Sequence, residues 1–324
     1  MSAAGLTVSS TRRGSPLPTI AALVVAVLAV SSSAPLIKFA AAPALAVAFW
    51  RNGLAALALT PVTVGPRRAE LRDVLRGTHR RDGMFCVLAG IALAAHFASW
   101  MPSVQLGTVA TATALVATQP VWQGLIAAAQ GRRPTVAGWV GIALAVAGAA
   151  WATGVDVGVS GKAVAADVLA LLGGMFAAAY TALGERARVR LTTTTYTWIC
   201  YGTCALLLLV VCLAARLPLG GYNTGTWAAI LALVAGAQLL GHSMFNYALH
   251  RTSATTVSVL ILLEVPGAAL LAWVWLGQAP NAAALPGLAL LLAGVAVVVL
   301  GAGLRRDRRD ATASLADAAD PSPR

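Results

Sequence analysis

Charge is what this sequence has least of. Only 10% of its 324 residues are Asp, Glu, Lys or Arg, and just 11 are acidic, whereas an ordinary soluble domain is about one quarter charged. So little charge cannot coat a water-exposed surface, which excludes that class. Cysteine is also scarce: Cys86, Cys200, Cys204 and Cys212 all lie in apolar stretches, and nothing at metal-ligand spacing accompanies them, so they read as packing residues. No nucleotide-binding motif occurs, which leaves nothing to drive a pump by nucleotide hydrolysis. No cofactor is called for.

What is present is apolar length. With 59% hydrophobic residues and a mean hydropathy of +0.79, the chain reads as a polytopic membrane protein. Requiring roughly 20 apolar residues per crossing predicts ten spans, near 20–40, 44–64, 84–104, 108–129, 135–153, 164–184, 197–217, 226–248, 255–277 and 283–304. Ten crossings put both termini on one side. Of the 23 Lys and Arg residues, 19 fall in the N-terminus, the tail and the loops of that side, three (Lys38, Lys162, Arg216) fall on the other, and Arg51 lies within a span. The positive-inside rule therefore places the termini in the cytoplasm. The net charge of +12 is a topology signal spread over six short segments, which excludes a nucleic acid partner and fits attraction to anionic lipid on the inner leaflet.

The stretch Thr255–Pro280 is apolar apart from Glu264, near its middle. A charge at the bilayer centre costs at least ~2.5–3.5 kcal/mol, so such a residue faces a protein interior or a water-filled cavity. In span two, Phe49-Trp50-Arg51 places a guanidinium roughly 10 Å deep at 1.5 Å per residue, and Glu264 at roughly 15 Å from the opposite side. The two meet if their helices are neighbours, directly or through a bound solute. Ser31-Ser32-Ser33-Ala34-Pro35 breaks the apolar pattern of span one, because a proline frees a backbone carbonyl that then needs another partner.

Moving the chain by 146 positions superposes Gly90 on Gly236, His96 on His242, Pro120 on Pro266, Gly131 on Gly277, Pro134 on Pro280, Gly141 on Gly287 and Gly148 on Gly294. Coincident Gly, Pro and His at one offset point to a duplication. Thr118 falls opposite Glu264, so the acid exists in one half only. Five spans is an odd number, so the second half enters the membrane from the other side. The fold expected is an all-α membrane protein of ten transmembrane helices arranged as two inverted five-helix repeats, 19–158 and 159–304, with a site near the midplane. Residues 1–18 and the tail 305–324 are polar and expected to lack fixed structure. The apolar run after Arg12-Arg13 continues past a candidate cleavage site, so it reads as span one rather than a signal peptide. Residues 65–83 form a charged inner loop with room for one short surface helix. Tyr196, Trp198 and Tyr201 read as an aromatic belt at the inner interface.

Ten spans in two halves, a proline at the centre of spans four and nine, Glu-Val-Pro at 264–266, Phe-Trp-Arg at 49–51 and the Gly-x-x-Pro then Gly-x6-Gly pattern after each resemble the drug/metabolite transporter superfamily and its EamA family, over roughly residues 20–304. Where that family commonly has Leu-Gly-Glu, the acid's places are held by Arg132 and Gln278. The resemblance implies a multi-pass carrier of the bacterial inner membrane that exports a metabolite, amino acid or drug-like solute. The solute-binding residues expected are Glu264, Arg51, His96, His242, Trp100, Asn246, Gln119 and Tyr180. With one mid-membrane acid, protons are a candidate co-substrate. A homodimer is left open. An intramembrane enzyme would need a second acid, a metal cluster or an activated nucleophile at the depth of Glu264, and the spans supply none. A channel or a non-transporting membrane sensor is the remaining alternative.

Overall fold

The structure is a computed structural model that describes residues 17–129, 131, 134–157, 160–241, 244 and 262–301. Every described element is helical: α1 Leu17–Ser31, α2 Ser33–Phe39, α3 Ala44–Val64, α4 Arg68–Arg76, α5 Arg80–Leu106, α6 Val109–Val116, α7 Gln119–Ala129, α8 Val136–Val157, α9 Gly161–Ala187, α10 Thr193–Ala214, α11 Thr224–Ala232, which continues as a π-helical stretch Leu233–Gly241, α12 Glu264–Leu276 and α13 Leu285–Gly301. Six helical segments are long and apolar enough to cross a membrane: Ala21–Phe39, α3, α5, α9, α10 and Thr224–Gly241. Shorter apolar helices fill Val136–Ala152, Glu264–Leu276 and Leu285–Gly301. Residues 1–16, nearly all of 242–261 (the end of span eight and the start of span nine) and the tail lie outside the described residues, while Leu17 and Pro18, expected to lack fixed structure, begin α1.

Two of the predicted spans are interrupted within the described residues, and proline explains both interruptions. Pro35 has no N–H to offer the carbonyl of Ser31, and the helix is broken between α1 and α2 at Ser32, whose hydroxyl turns back to donate to Ala29 O (2.8 Å). Pro120 does the same at Ala117–Thr118, where the Thr118 hydroxyl donates to Leu115 O (2.7 Å) between α6 and α7. Pro266 follows the turn at Leu262–Leu263 that precedes α12. At the 146-residue offset this turn falls one residue from the α6–α7 break.

Backbones approach where side chains are absent. A Cβ on Gly141 would lie 2.7 Å from Gly294 O, and one on Gly287 2.9 Å from Gly148 O, so α8 and α13 cross antiparallel, glycine against glycine. Gly173 lets α9 lie on Trp100 of α5, and Gly174 lets it lie on the Val116 carbonyl at the α6–α7 break, 2.9 Å away. Gly90 admits Thr203 and the Cys200 carbonyl of α10. The four cysteines are free and buried.

Two sets of hydrogen bonds tie the ends of the bundle. At one end Lys38 Nζ donates to Gln105 O and Gly107 O (both 2.8 Å), Ala41 N to Thr226 Oγ1 (3.1 Å), Trp50 Nε1 to Leu219 O (2.8 Å) and Val109 N to Gln278 Oε1 (3.0 Å). At the other, Glu70 of α4 receives three bonds from the start of α10: Thr192 N (2.6 Å), Thr192 Oγ1 (2.8 Å) and Thr195 Oγ1 (2.8 Å). The 65–83 segment is thus more than a solvated connector. Its carboxylate completes the N-terminal cap of α10, where orphan N–H groups need an acceptor. Burial pushes the Glu70 carboxyl up, but the Thr192 N–H, the Thr195 and Thr192 hydroxyls and the Arg67 charge outweigh it and hold it below the ordinary value.

The aromatic belt expected at 196–201 is instead turned largely inward. Tyr196 and Tyr201 are buried, Tyr196 packs on Gly184 and stacks with Tyr180, and Trp198 Nε1 donates to Thr60 Oγ1 (3.0 Å). Neighbouring helices supply glycine and hydroxyl partners that a membrane interface would otherwise supply as water.

Candidate functional site

Arg51 is 5% exposed and stands in the second turn of α3. A buried guanidinium must spend its N–H groups on partners or suffer the full cost of desolvation. Its Nε donates to Gln238 Oε1 (2.5 Å) and one terminal nitrogen to Ser33 Oγ (3.2 Å). The guanidinium carbon lies 4.8 Å from the centroid of the Phe97 ring, a cation–π contact. Gln238, 3% exposed, passes the network on: its Nε2 donates to Asn52 Oδ1 (3.3 Å), and Asn52, fully buried, donates to Ala48 O (2.8 Å). Gln238 lies in the π-helical stretch, a local widening of the helix that recurs at functional sites. The break between α1 and α2 supplies Ser33, α3 supplies Arg51 and Asn52, α5 supplies Phe97, and the π-helical stretch supplies Gln238.

Glu264, the first residue of α12, is half-buried and interacts electrostatically with Arg51. It makes no ion pair with Arg51 within 4 Å; among the described residues the sole such pair is His79–Asp82. The sequence allowed either a direct pair or one with a bound solute between the two groups. The geometry leaves the two charges apart but within each other's field. One turn on from Glu264, Gly267 brings α12 against Ser31, whose hydroxyl is buried and makes no hydrogen bond.

Trp100 lies beyond Phe97, ring centroids 6.4 Å apart, and its buried indole N–H has no hydrogen-bond partner among the described residues. His96 stacks on Trp100 (5.6 Å), and its Nδ1 is 2.9 Å from Gly173 O, so the ring is held by its neighbour across α5 and α9. Tyr180 is half-buried and its ring stacks with Tyr196, centroids 6.5 Å apart. Gln119 Nε2 donates to Thr181 Oγ1 (2.8 Å) on α9, the residue after Tyr180. Of the eight residues expected at the site, Arg51, His96 and Trp100 all pack on the Phe97 ring, Glu264 and Tyr180 lie on neighbouring helices, and Gln119 is bonded to Thr181 beside Tyr180, while His242 and Asn246 lie outside the described residues.

Sequence reasoning missed Gln238 and Asn52 and named Ser33 only as part of the break in span one, with no partner for its hydroxyl. Asn52 had a signal, since it follows the arginine directly. Gln238 also had one: it is the lone amide in the apolar run Leu231–Leu240, and a polar group at that depth needs a partner.

These features define a class first: a multi-pass membrane protein with a charged, hydrogen-bonded interior assembled from several helices. The EamA-like transporter family matches residues 17–154 and again 164–300, so the chain belongs to that family, with the two matches falling on its two halves. Membership makes it a transporter of the drug/metabolite type. A search of curated proteins finds no match. Among solved structures 16 chains match, one of them a crystal structure of a protein 21% identical, aligned over 88% of this chain and 98% of its own with a TM-score of 0.57; at that identity the likeness speaks for the fold.

Proposed function

We propose that the chain is a secondary carrier of ten spans in two inverted repeats that exports a small metabolite, amino acid or drug-like solute from the cytoplasm by alternating access, with both termini cytoplasmic in a bacterial inner membrane. The observation that carries this reading is the Arg51 network: a buried cation bonded by Gln238 from the other half of the chain, with Glu264 in its field and not paired to it. Opposite charges held near each other without contact leave room for a solute, or a proton, to mediate between them.

The inverted arrangement has its own support. Gly141 meets Gly294 and Gly148 meets Gly287, and the 146-residue offset converts the first contact into the second. Two antiparallel helices in such an exchange are related by a twofold perpendicular to their axes. For helices that cross a bilayer, that twofold lies in the membrane plane, as inverted repeats require.

Purified protein in proteoliposomes tests the reading. A carrier shows counterflow of its solute, which a channel or sensor does not. Under a proton gradient, transport by the wild type is expected to depend on pH and transport by Glu264→Gln to lose that dependence; an unaltered pH profile removes Glu264 from the coupling role.

A further inference from the structure

The charge on α4 is sorted by face. Glu70 and Val74, four residues apart, point into the protein: Val74 is 4% exposed against Gly83, and Glu70 is held by Thr192 and Thr195. Arg68, Arg72 and Arg76, also spaced by four, run along the opposite face and are exposed. Leu75, 62% exposed, stands among them, and the one exposed acid of α4, Asp73, lies at their edge, three residues before Arg76, without an ion pair to it. Among the described residues these three arginines make no ion pair, hydrogen bond or ring contact. The other basic segment at this end differs, because Arg186 lies over the Phe85 ring (6.0 Å) and Arg188 over the Tyr196 ring (5.6 Å).

We infer that the outer face of α4 is a docking surface for anionic phospholipid headgroups of the leaflet on its side of the membrane, with Arg68, Arg72 and Arg76 meeting phosphates and Leu75 entering the acyl boundary. Three unpartnered cations with an exposed leucine between them match a negatively charged interface with an apolar layer beneath it. A face turned to bulk water would gain nothing from the leucine. The chain leaves the membrane at Val64 and re-enters with α5, so α4 begins four residues past the end of a crossing helix. Its other face joins the two halves through Glu70, so a lipid bound here loads a contact that links them. The inference rests on α3 and α5 crossing a bilayer and on neither the solute nor the direction of transport.

The test uses the full-length protein in nanodiscs that contain phosphatidylcholine and phosphatidylglycerol in equal amounts, followed by native mass spectrometry of the lipids that stay bound. Each arginine near an anionic surface contributes about fivefold in local lipid partition, so the wild type is expected to retain phosphatidylglycerol over phosphatidylcholine, and R68Q/R72Q/R76Q to lose that preference by about a hundredfold at low salt. R186Q/R188Q/R190Q removes the same charge from the neighbouring segment and is expected to leave most of the preference in place. Equal retention by wild type and R68Q/R72Q/R76Q overturns the inference. So does an equal loss in both triple variants, which would make the effect one of net charge. The single variant R72Q, in the middle of the stripe, is expected to fall between, which separates loss of a site from a folding defect. Failure here leaves the carrier reading untouched, since counterflow is read separately.

Discussion

At the scale of single residues, the two ionisable groups that matter most are stabilised in different ways. Arg51 is buried and surrounded by neutral acceptors and a ring, so its replacement by Lys is not conservative: an ammonium cannot reach Gln238 and Ser33 from the geometry of a guanidinium. Glu70 lies at the surface and holds three bonds to the start of α10. Because its folded value lies below the ordinary one, its contribution is fully present above the unfolded carboxylate range near pH ~4.3 and is lost as pH falls through the lowered folded value. Glu70→Gln should therefore destabilise the protein by about 1 kcal/mol at neutral pH, and the gap should close as the pH is taken below about 4. Thermal melts in detergent across that range check this; a gap that stays constant or widens in acid contradicts it. Arg51 and Glu264 were legible in the sequence because a charge in an apolar run is costly and must be explained. Gln238 and Ser33 were not, since a neutral amide or hydroxyl in a helix costs little enough to pass unnoticed until the charge it satisfies is known.

Helices carry the next level. Their positions were largely legible: α3 occupies the residues the pattern demanded, and α5 and α9 differ from it only in being longer at both ends. What periodicity could not show was that spans one and four are each two helices, although the prolines that break them were visible. A proline marks a lost hydrogen bond; whether the helix bends or stops depends on neighbours that accept the freed carbonyl, and those are set by tertiary packing. Glycine makes the same distinction measurable. Gly148 sits against the Leu291 backbone of α13, while Gly202 in α10 has nothing within 4 Å of where a Cβ would be. Gly148→Ala should cost about 1–3 kcal/mol through forced separation of α8 and α13, whereas Gly202→Ala should gain about 0.5 kcal/mol by helix propensity. The four buried thiols report both, since a thiol-reactive dye labels them as the bundle unfolds. Equal shifts for the two substitutions would show that the glycine contact between α8 and α13 does not bear on stability.

Considered whole, the molecule joins its halves at both ends, and alternating access requires one set of joints to open while the other holds. The joints are unlike. Glu70 offers a charge to Thr192 and Thr195, and bonds to charged groups are roughly twice as strong as neutral ones. At the far end, Gln278 offers a neutral amide oxygen to the N–H of Val109 at the start of α6. The acid common in the family at the position of Gln278 would bind that helix end more tightly, through its charge as well as its oxygen; the amide therefore holds this one contact more loosely than an acid would, beside the Ala41–Thr226 and Trp50–Leu219 bonds that also join the halves at this end. Gln278→Leu removes the acceptor and about 1 kcal/mol of closure, so this end, the outer one in the proposed topology, should open about fivefold more often. Ala110, buried one residue beyond Val109, is the place to observe it: in an Ala110→Cys reporter the native thiols stay silent because they are buried. A membrane-impermeant maleimide added to intact cells should label Ala110→Cys slowly, and about fivefold faster when Gln278→Leu is also present. Labelling that appears only after permeabilisation would place this end in the cytoplasm and reverse the proposed topology. An unchanged rate would show that the Gln278 bond does not gate the outer mouth.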